Sequence, residues 1–220
     1  MTRNLSPAGD ADVLAGRVIA VVPLRGGGNG KTRLAEDLAP EQRTRLVGAL
    51  ARHVVTTLVG VVDRVVVVTG DVGYATRAIG RPCARIDAVE QVRSGLNGAV
   101  ADGVEFAFAG RAERVVVMHA DLPLLTTDDV LALLAPSAPV VLAPDRAEEG
   151  TNAVVVHRSA AAWRFRFGPG SAAAHRAEAE RLGLTPHVLR RPGLGTDLDT
   201  PADWARLPDG VRAELLRTAG

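Results

Sequence analysis

Val18-Ile19-Ala20-Val21-Val22-Pro23-Leu24-Arg25-Gly26-Gly27-Gly28-Asn29-Gly30-Lys31-Thr32-Arg33-Leu34 is the stretch whose reading decides the fold. It opens on an unbroken apolar run and leads into a helical pattern. A strand that empties into a glycine-rich turn ahead of a helix makes a phosphate cradle: glycines let backbone N–H groups approach an anion, and the helix N-terminus adds partial positive charge. Lys31 sharpens the point, because it is the only lysine in a chain with 26 Lys and Arg residues. Lysine offers a compact point charge where arginine offers a planar fork. Keeping one lysine here therefore points to a need for a compact cation. The loop is not a Walker A motif, which needs Gly, four residues, then Gly-Lys-[Ser/Thr]. Arg25 stands where the first glycine of that motif would be.

Working outward, 220 residues suffice for one domain with a substantial core. Hydrophobic residues make up 47% but aromatics only 3%, so the core is built from Val, Leu and Ala. A net charge of +1 argues against a nucleic-acid-coating surface. No 18-residue apolar run is present, so no membrane span is expected. Cys83 is alone, which excludes a disulfide framework and a cysteine-metal cluster. Residues 1–16 read as a disordered leader without a signal-peptide pattern, and 17–220 as a single domain. A cytoplasmic location is the expectation.

Strands are expected at Arg17–Pro23, Asp63–Gly70, Ala84–Ala88, Arg114–His119, Val140–Pro144, Ala153–His157 and Leu184–Leu189. The second and fourth are β-branched runs of the kind buried on both faces in parallel sheets. Leu34–Leu38 reads as one short turn. Pro40 opens a helix at the first helical position, with an i+4 face of Leu46, Leu50, Val54 and Leu58. Further helices are expected at Asp71–Ile79, after a Ser94 cap with a Leu96, Val100, Val104 and Phe108 face, after Thr126 or Thr127, at Ser171–Leu182 with a polar face, and at Asp203–Leu207 and Asp209–Leu216. Alternating strands and helices predict an α/β fold with a mainly parallel central sheet and helices on both faces.

Ligands of such sheets bind beyond the carboxyl ends of the strands, and the chemically loaded residues fall there. Gly26 to Lys31 follow the first strand, Asp121 follows Val115–Met118, Asp145 follows Val140–Ala143, and Asp197 and Asp199 lie in Gly195-Thr196-Asp197-Leu198-Asp199-Thr200-Pro201. Asp121 is a hard oxygen donor on a rigid element, suited to Mg²⁺, which takes few protein carboxylates and completes its shell from phosphate and water. Asp197 supplies a second carboxylate in this reading, while Asp199 is assigned as the N-cap before Pro201, with metal ligation as its alternative. Asn97, in a helix's first turn, is a candidate for holding a base or ribose. Gly150-Thr151-Asn152-Ala153 offers small hydrogen-bonding groups before a strand. Phe167-Gly168-Pro169-Gly170-Ser171 leads into a helix start that reads as a second anion site.

A second loop type suits the first stretch better than Walker A: the glycine-rich turn after strand one of the nucleotidyltransferases. The ordered set Lys31-Thr32-Arg33-Leu34, Asp121-Leu122-Pro123, Ala143-Pro144-Asp145-Arg146 with Gly150-Thr151-Asn152-Ala153, Phe167-Gly168-Pro169-Gly170-Ser171, and Asp197-Leu198-Asp199-Thr200-Pro201-Ala202-Asp203 resembles the guanylyltransferases of coenzyme F420 biosynthesis. These comprise phosphoenolpyruvate and 2-phospho-L-lactate guanylyltransferases. The resemblance implies a Rossmann-like nucleotidyltransferase fold and transfer of GMP from GTP to the phosphate of a three-carbon acid, with release of pyrophosphate and use of Mg²⁺. Together with the loop reading this makes Lys31 and Asp121 the candidate catalytic residues, and Leu24, Gly26, Gly27, Gly28, Lys31 and Asn97 the candidates at the nucleotide. The resemblance puts Thr151, Asn152, Gly168 and Ser171 at the phosphoenolpyruvate, and Asp121 and Asp197 at the metal, Asp199 remaining a further candidate ligand. It leaves room for a homodimer and for hand-over of product to the next enzyme. Two departures stand out: a loop richer in glycine than is usual in this family, and His119-Ala120 in place of the common glycine before the metal aspartate.

The chemistry agrees with the residues. A phosphate monoester has a second pKa of about 6, so the acceptor is ionised at neutral pH and needs no general base. The chain offers no convincing Ser/His/Asp or Cys/His set. The barrier is repulsion between polyanions, about 4 kcal/mol per pair of unit charges ~4 Å apart at an effective dielectric of 20. Cations and oriented amides answer it. Other readings remain: a phosphoglycerate acceptor, a sugar-phosphate or molybdopterin nucleotidyltransferase, a P-loop-like GTP-hydrolysing switch, or a nucleotide-binding regulatory module without turnover.

Overall fold

Strand β1 (Val18–Pro23) leads the chain and α1 (Pro40–Val59) follows, Pro40 taking the first helical turn. Then come β2 (Arg64–Thr69), α2 (Val72–Ile79), β3 (Ile86–Glu90), α3 (Gly95–Ala109), β4 (Arg114–Met118) and α4 (Thr127–Leu134). The second half holds β5 (Val140–Pro144), β6 (Thr151–His157), α5 (Ser171–Arg181), β7 (His187–Val188), the single turn α6 (Pro192–Gly195), α7 (Pro201–Arg206) and α8 (Asp209–Thr218). This computed structural model describes residues 16–26, 39–81 and 83–218. The expected leader and the Leu34–Leu38 turn lie outside the described residues.

The seven strands form one sheet in the order β3-β2-β1-β4-β6-β5-β7. β6 runs antiparallel to β4 and β5, and the remaining pairs are parallel. The chain moves outward from β1 to β2 and β3, then returns to lay β4 on the other side of β1. That reversal opens a crevice at the carboxyl ends of β1 and β4, where open α/β sheets bind ligands.

Alternation along β1 divides the core between the two faces of the sheet. Val18, Ala20 and Val22 pack with Val54, Val55 and Leu58 of α1 and Leu133 of α4. Ile19 and Val21 pack with Ala99, Val100 and Ala107 of α3, and with Trp163, Phe167 and Ala179 on the α5 side. The expected α1 face is buried throughout, and its first turns carry a third cluster: Leu46, Ala49 and Leu50 against Leu198, Leu207 and Leu215. This cluster straps the C-terminal segment across α1 and so brings residues 197–199 to the crevice.

Three expectations change. On α3, Ala99, Val100, Gly103 and Ala107 are buried, not the Leu96, Val100, Val104 and Phe108 stripe. A Cβ on Gly103 would fall inside contact distance of Val21 and Val68, so the helix lies too close to β1 and β2 for large side chains. β3 begins at Ile86 because Cys83 and Ile86 exchange backbone hydrogen bonds in a tight turn, 2.9 and 3.1 Å. The last strand shrinks to His187–Val188.

Candidate active site

A cleft of about 470 Å³ opens at the β1/β4 crevice. Its floor follows β1, with Pro23, Leu24 and Arg25; its apolar wall comes from Val47 and Leu50 of α1 and from Leu96 and Ala99 of α3. Gln91 and Gly95 border the α3 side. His119, Ala120 and Asp121 close it after β4, and Asp199 reaches in from the C-terminal segment. A mostly apolar lining with a few polar groups is the usual make-up of a small-molecule site.

Backbone pairing holds these parts in place. Leu24 N–H donates to Val68 O at 2.8 Å, extending the β1–β2 pairing past the strand end. His119 N–H donates to Asn152 O at 2.9 Å. Leu198 N–H donates to Asp121 O at 3.1 Å, and its side chain is fully buried. That bond sets Asp197 and Asp199 on either side of the residue joined to Asp121.

The cap expected at Asp199 falls on the next residue. Thr200, not Asp199, is the N-cap of α7: its hydroxyl accepts from Asp203 N–H at 3.2 Å, while Asp203 Oδ2 accepts from Thr200 N–H at 2.8 Å. Pro201 at the first helical position marks the residue before it as the cap, and Thr-x-x-Asp is a capping box. Asp199, relieved of capping, lines the cleft with Asp121, and Asp197 is not among its lining residues. Two carboxylate oxygens with no further cluster suit a magnesium ion that keeps phosphate and water ligands. Among the described residues no group of three or more His, Cys, Asp or Glu is arranged to cage a metal.

Gly27, Gly28 and Lys31 lie outside the described residues. Gly26 is described, and a Cβ there would stand 2.8 Å from Asp71 Cβ, so a glycine is needed for the turn to pass the capped start of α2. Asn97, expected at the nucleotide, is engaged by the backbone of Phe167. Its Nδ2 donates to Phe167 O and its Oδ1 accepts from Phe167 N–H, both at 2.9 Å, so its amide clamps the Phe167 loop.

The residues expected at the acceptor form a second, buried region beside α5. Thr151, Asn152, Ser171, His175 and Glu178 are all 4% exposed or less. Asn152 Nδ2 donates to Leu194 O at 2.9 Å and so holds α6. Gly168 and Gly170 have φ of +128° and +71°, the left-handed region that glycine enters freely. The expected helix-terminal anion site is narrower than foreseen: Ser171 N–H donates to Gly168 O at 3.0 Å and Ala172 N–H to Glu149 O at 3.1 Å. Asp145 takes the N–H groups of Glu149 and Gly150 at 3.0 and 2.7 Å, which makes it the closure of its own turn.

Sequence reasoning read Ser171–Leu182 as a polar-faced helix and did not single out His175 and Glu178, which are buried. Glu178 Oε1 accepts from Arg164 N–H at 2.8 Å and pairs with Arg181; the Arg181 hydrogen bond chiefly holds its pKa below the usual range. His175 Nε2 accepts from Arg166 N–H at 2.9 Å, and its Nδ1 stands 3.1 Å from Thr151 Oγ1. Burial, with His119 adding to it, pulls its pKa down to about 4. Phe167 links the two regions, its ring centroid 5.1 Å from that of His119 and 4.9 Å from that of His175. The signal in the sequence was Ser171, His175 and Glu178 at helical spacing along one stripe of an alanine-rich helix.

Comparisons with known proteins show the family and the fold. Residues 18–207 match the family model described as "Guanylyl transferase CofC like". A phosphoenolpyruvate guanylyltransferase of Sphaerobacter thermophilus is 40% identical over 193 residues, covering 86% of this chain and 91% of that protein. A 2-phospho-L-lactate guanylyltransferase of Methanothrix thermoacetophila is 34% identical over 203 residues, covering 84% of this chain and 80% of that protein. A solved nucleotidyl transferase from Methanothermobacter, 17% identical, superposes with a TM-score of 0.65 over 92% of this chain and 99% of that one, and shares the fold.

Proposed function

The chain belongs to the CofC-like guanylyltransferase family, and from that premise we propose that it transfers GMP from GTP to the phosphate of phosphoenolpyruvate, in the cytoplasm, as a step of coenzyme F420 biosynthesis. The observation that carries this reading is the meeting of Asp121 and Asp199, far apart in sequence, in one cleft with the turn that follows β1. In the proposal the base lies against Leu24, Leu96 and Ala99, and the triphosphate follows the Gly26 to Lys31 loop. Asp121 and Asp199 would hold the magnesium ion, which when bound neutralises phosphate charge. The family resemblance implies Thr151, Asn152, Gly168 and Ser171 at the acceptor's phosphate; the Asn152 amide nitrogen is engaged with Leu194 O, and Thr151, Gly168 and Ser171 receive the phosphate in this proposal.

An acceptor phosphate oxygen forms the new bond to the α-phosphorus of GTP. The bond from that phosphorus to the bridging oxygen breaks, and pyrophosphate leaves with the electron pair. No proton needs to be removed, since the acceptor's second pKa is about 6. The chain's own part is to orient the two phosphates and to screen them from each other.

The relative named for 2-phospho-L-lactate supports that acid as a second acceptor reading. Incubating the full chain with GTP, Mg²⁺ and each candidate acid, then weighing products by mass spectrometry, tests the proposal. The expected product is enolpyruvoyl-diphospho-guanosine with an equal amount of pyrophosphate. Orthophosphate released without any acceptor would instead indicate a GTP-hydrolysing switch.

A further inference from the structure

The hydrogen bonds of His175 fix its tautomer. A backbone N–H can only donate, so the bond from Arg166 N–H at 2.9 Å requires a lone pair on Nε2. A neutral imidazole with its lone pair there carries its proton on Nδ1. Nδ1–H is therefore the donor to Thr151 Oγ1, 3.1 Å away, and the threonine oxygen accepts. The Thr151 hydroxyl keeps its own proton, and among the described residues it makes no other hydrogen bond. Thr151 is 2% exposed and His175 fully buried, and a buried donor without an acceptor is costly. An anionic ligand oxygen would supply the missing acceptor.

We propose that His175 is a positioning residue for the acceptor's phosphate: by donating to Thr151 Oγ1 it obliges the Thr151 hydroxyl to act as a donor to the ligand. The inference rests on the reading that Thr151 meets the acceptor. Reversing the His175 tautomer would let the threonine hydroxyl donate to the ring, leaving it nothing to give an anion. The same ring pins the loop of residues 163–167 through Arg166, and Asn97 pins Phe167 beside it. One side chain thus sets both the donor on β6 and the loop that leads to Gly168 and Ser171.

Two amide replacements separate the two ring nitrogens. His175→Asn keeps a donor near the Nδ1 position, and His175→Gln keeps an acceptor near Nε2. With GTP and Mg²⁺ saturating and phosphoenolpyruvate varied, His175→Gln should raise the acceptor KM about tenfold and leave the KM for GTP unchanged. His175→Asn should hold the acceptor KM within about threefold of the parent, because it retains the donor. Thr151→Val should raise the acceptor KM about tenfold, and His175→Gln should add nothing further in that background. Additive effects would overturn the role of His175 while leaving Thr151 in the acceptor site. An unchanged acceptor KM in Thr151→Val would overturn the acceptor-site reading and the inference with it. The unaltered protein offers a check independent of variant folding: ¹⁵N imidazole shifts should report a neutral Nδ1–H ring at pH 7, and an Nε2–H ring overturns the proposal.

Discussion

The cleft between β1 and β4 and the polar layer between β6 and α5 solve opposite problems. The cleft brings Asp121 and Asp199 to a half-open space beside an apolar wall. The layer keeps Thr151, His175 and Glu178 out of water, joining His175 and Glu178 to loop N–H groups and His175 to Thr151. Carboxylates proposed to hold a hydrated cation and a triphosphate would gain from access. A donor proposed to serve one anion in one geometry would gain from burial, where each hydrogen bond is stronger and each unpaired group more costly. In the cleft carboxylates are gathered beside open space, and in the layer orientation is fixed by buried hydrogen bonds.

The sharpest way to break this contrast is to remove charge proposed to act on the nucleotide's phosphates. Asp121→Asn should lower kcat/KM by about 10³-fold and Lys31→Ala by about 10²-fold, as expected for groups acting on developing phosphate charge. Neither should shift the melting temperature by more than a few degrees, and a collapse of Tm in step with activity would make these residues structural. Lys31 lies outside the described residues, so its part in this prediction stands on sequence.

The layer should fail differently, through protonation. Because the native His175 pKa is lowered from 6.5 to about 4, the unfolded chain binds this proton first as pH falls. Stability should therefore be full above pH 6.5 and decline down to about pH 4, by about 3 kcal/mol in all. His53, lowered mainly by burial, adds to the same trend. Urea unfolding at pH 7, 5 and 4 should show the loss, and His175→Asn should flatten it. An identical slope in that variant would mean that other groups govern the acid limb.

The strands and the crevice were legible because unbroken β-branched runs such as Val65–Val68 and Val115–Val117 have few other fates, and Asp121 follows one directly. Other features were hidden for identifiable reasons. The buried stripe of α3 is made of small residues, which carry little hydrophobic signal but permit close approach to the sheet. The inner face of α5 is polar because it answers backbone N–H groups of a loop that no local pattern reveals. Asn97 looked like a ligand group because its partner, Phe167, lies 70 residues away. The exchange between Asp199 and Thr200 was readable in principle: the Thr200 to Asp203 spacing with Pro201 names the threonine as the cap.

The central claim is that Asp121 and Asp199, and not Asp197, hold the metal-bound nucleotide at the β1/β4 crevice. Electron paramagnetic resonance of Mn²⁺, titrated with GTP into the full chain, measures this directly. The account predicts that Asp121→Asn and Asp199→Asn each weaken formation of the ternary complex by at least about tenfold, as loss of a charged ligand should, while Asp197→Asn stays within about threefold. Loss of binding in Asp197→Asn with binding retained in Asp199→Asn would contradict it.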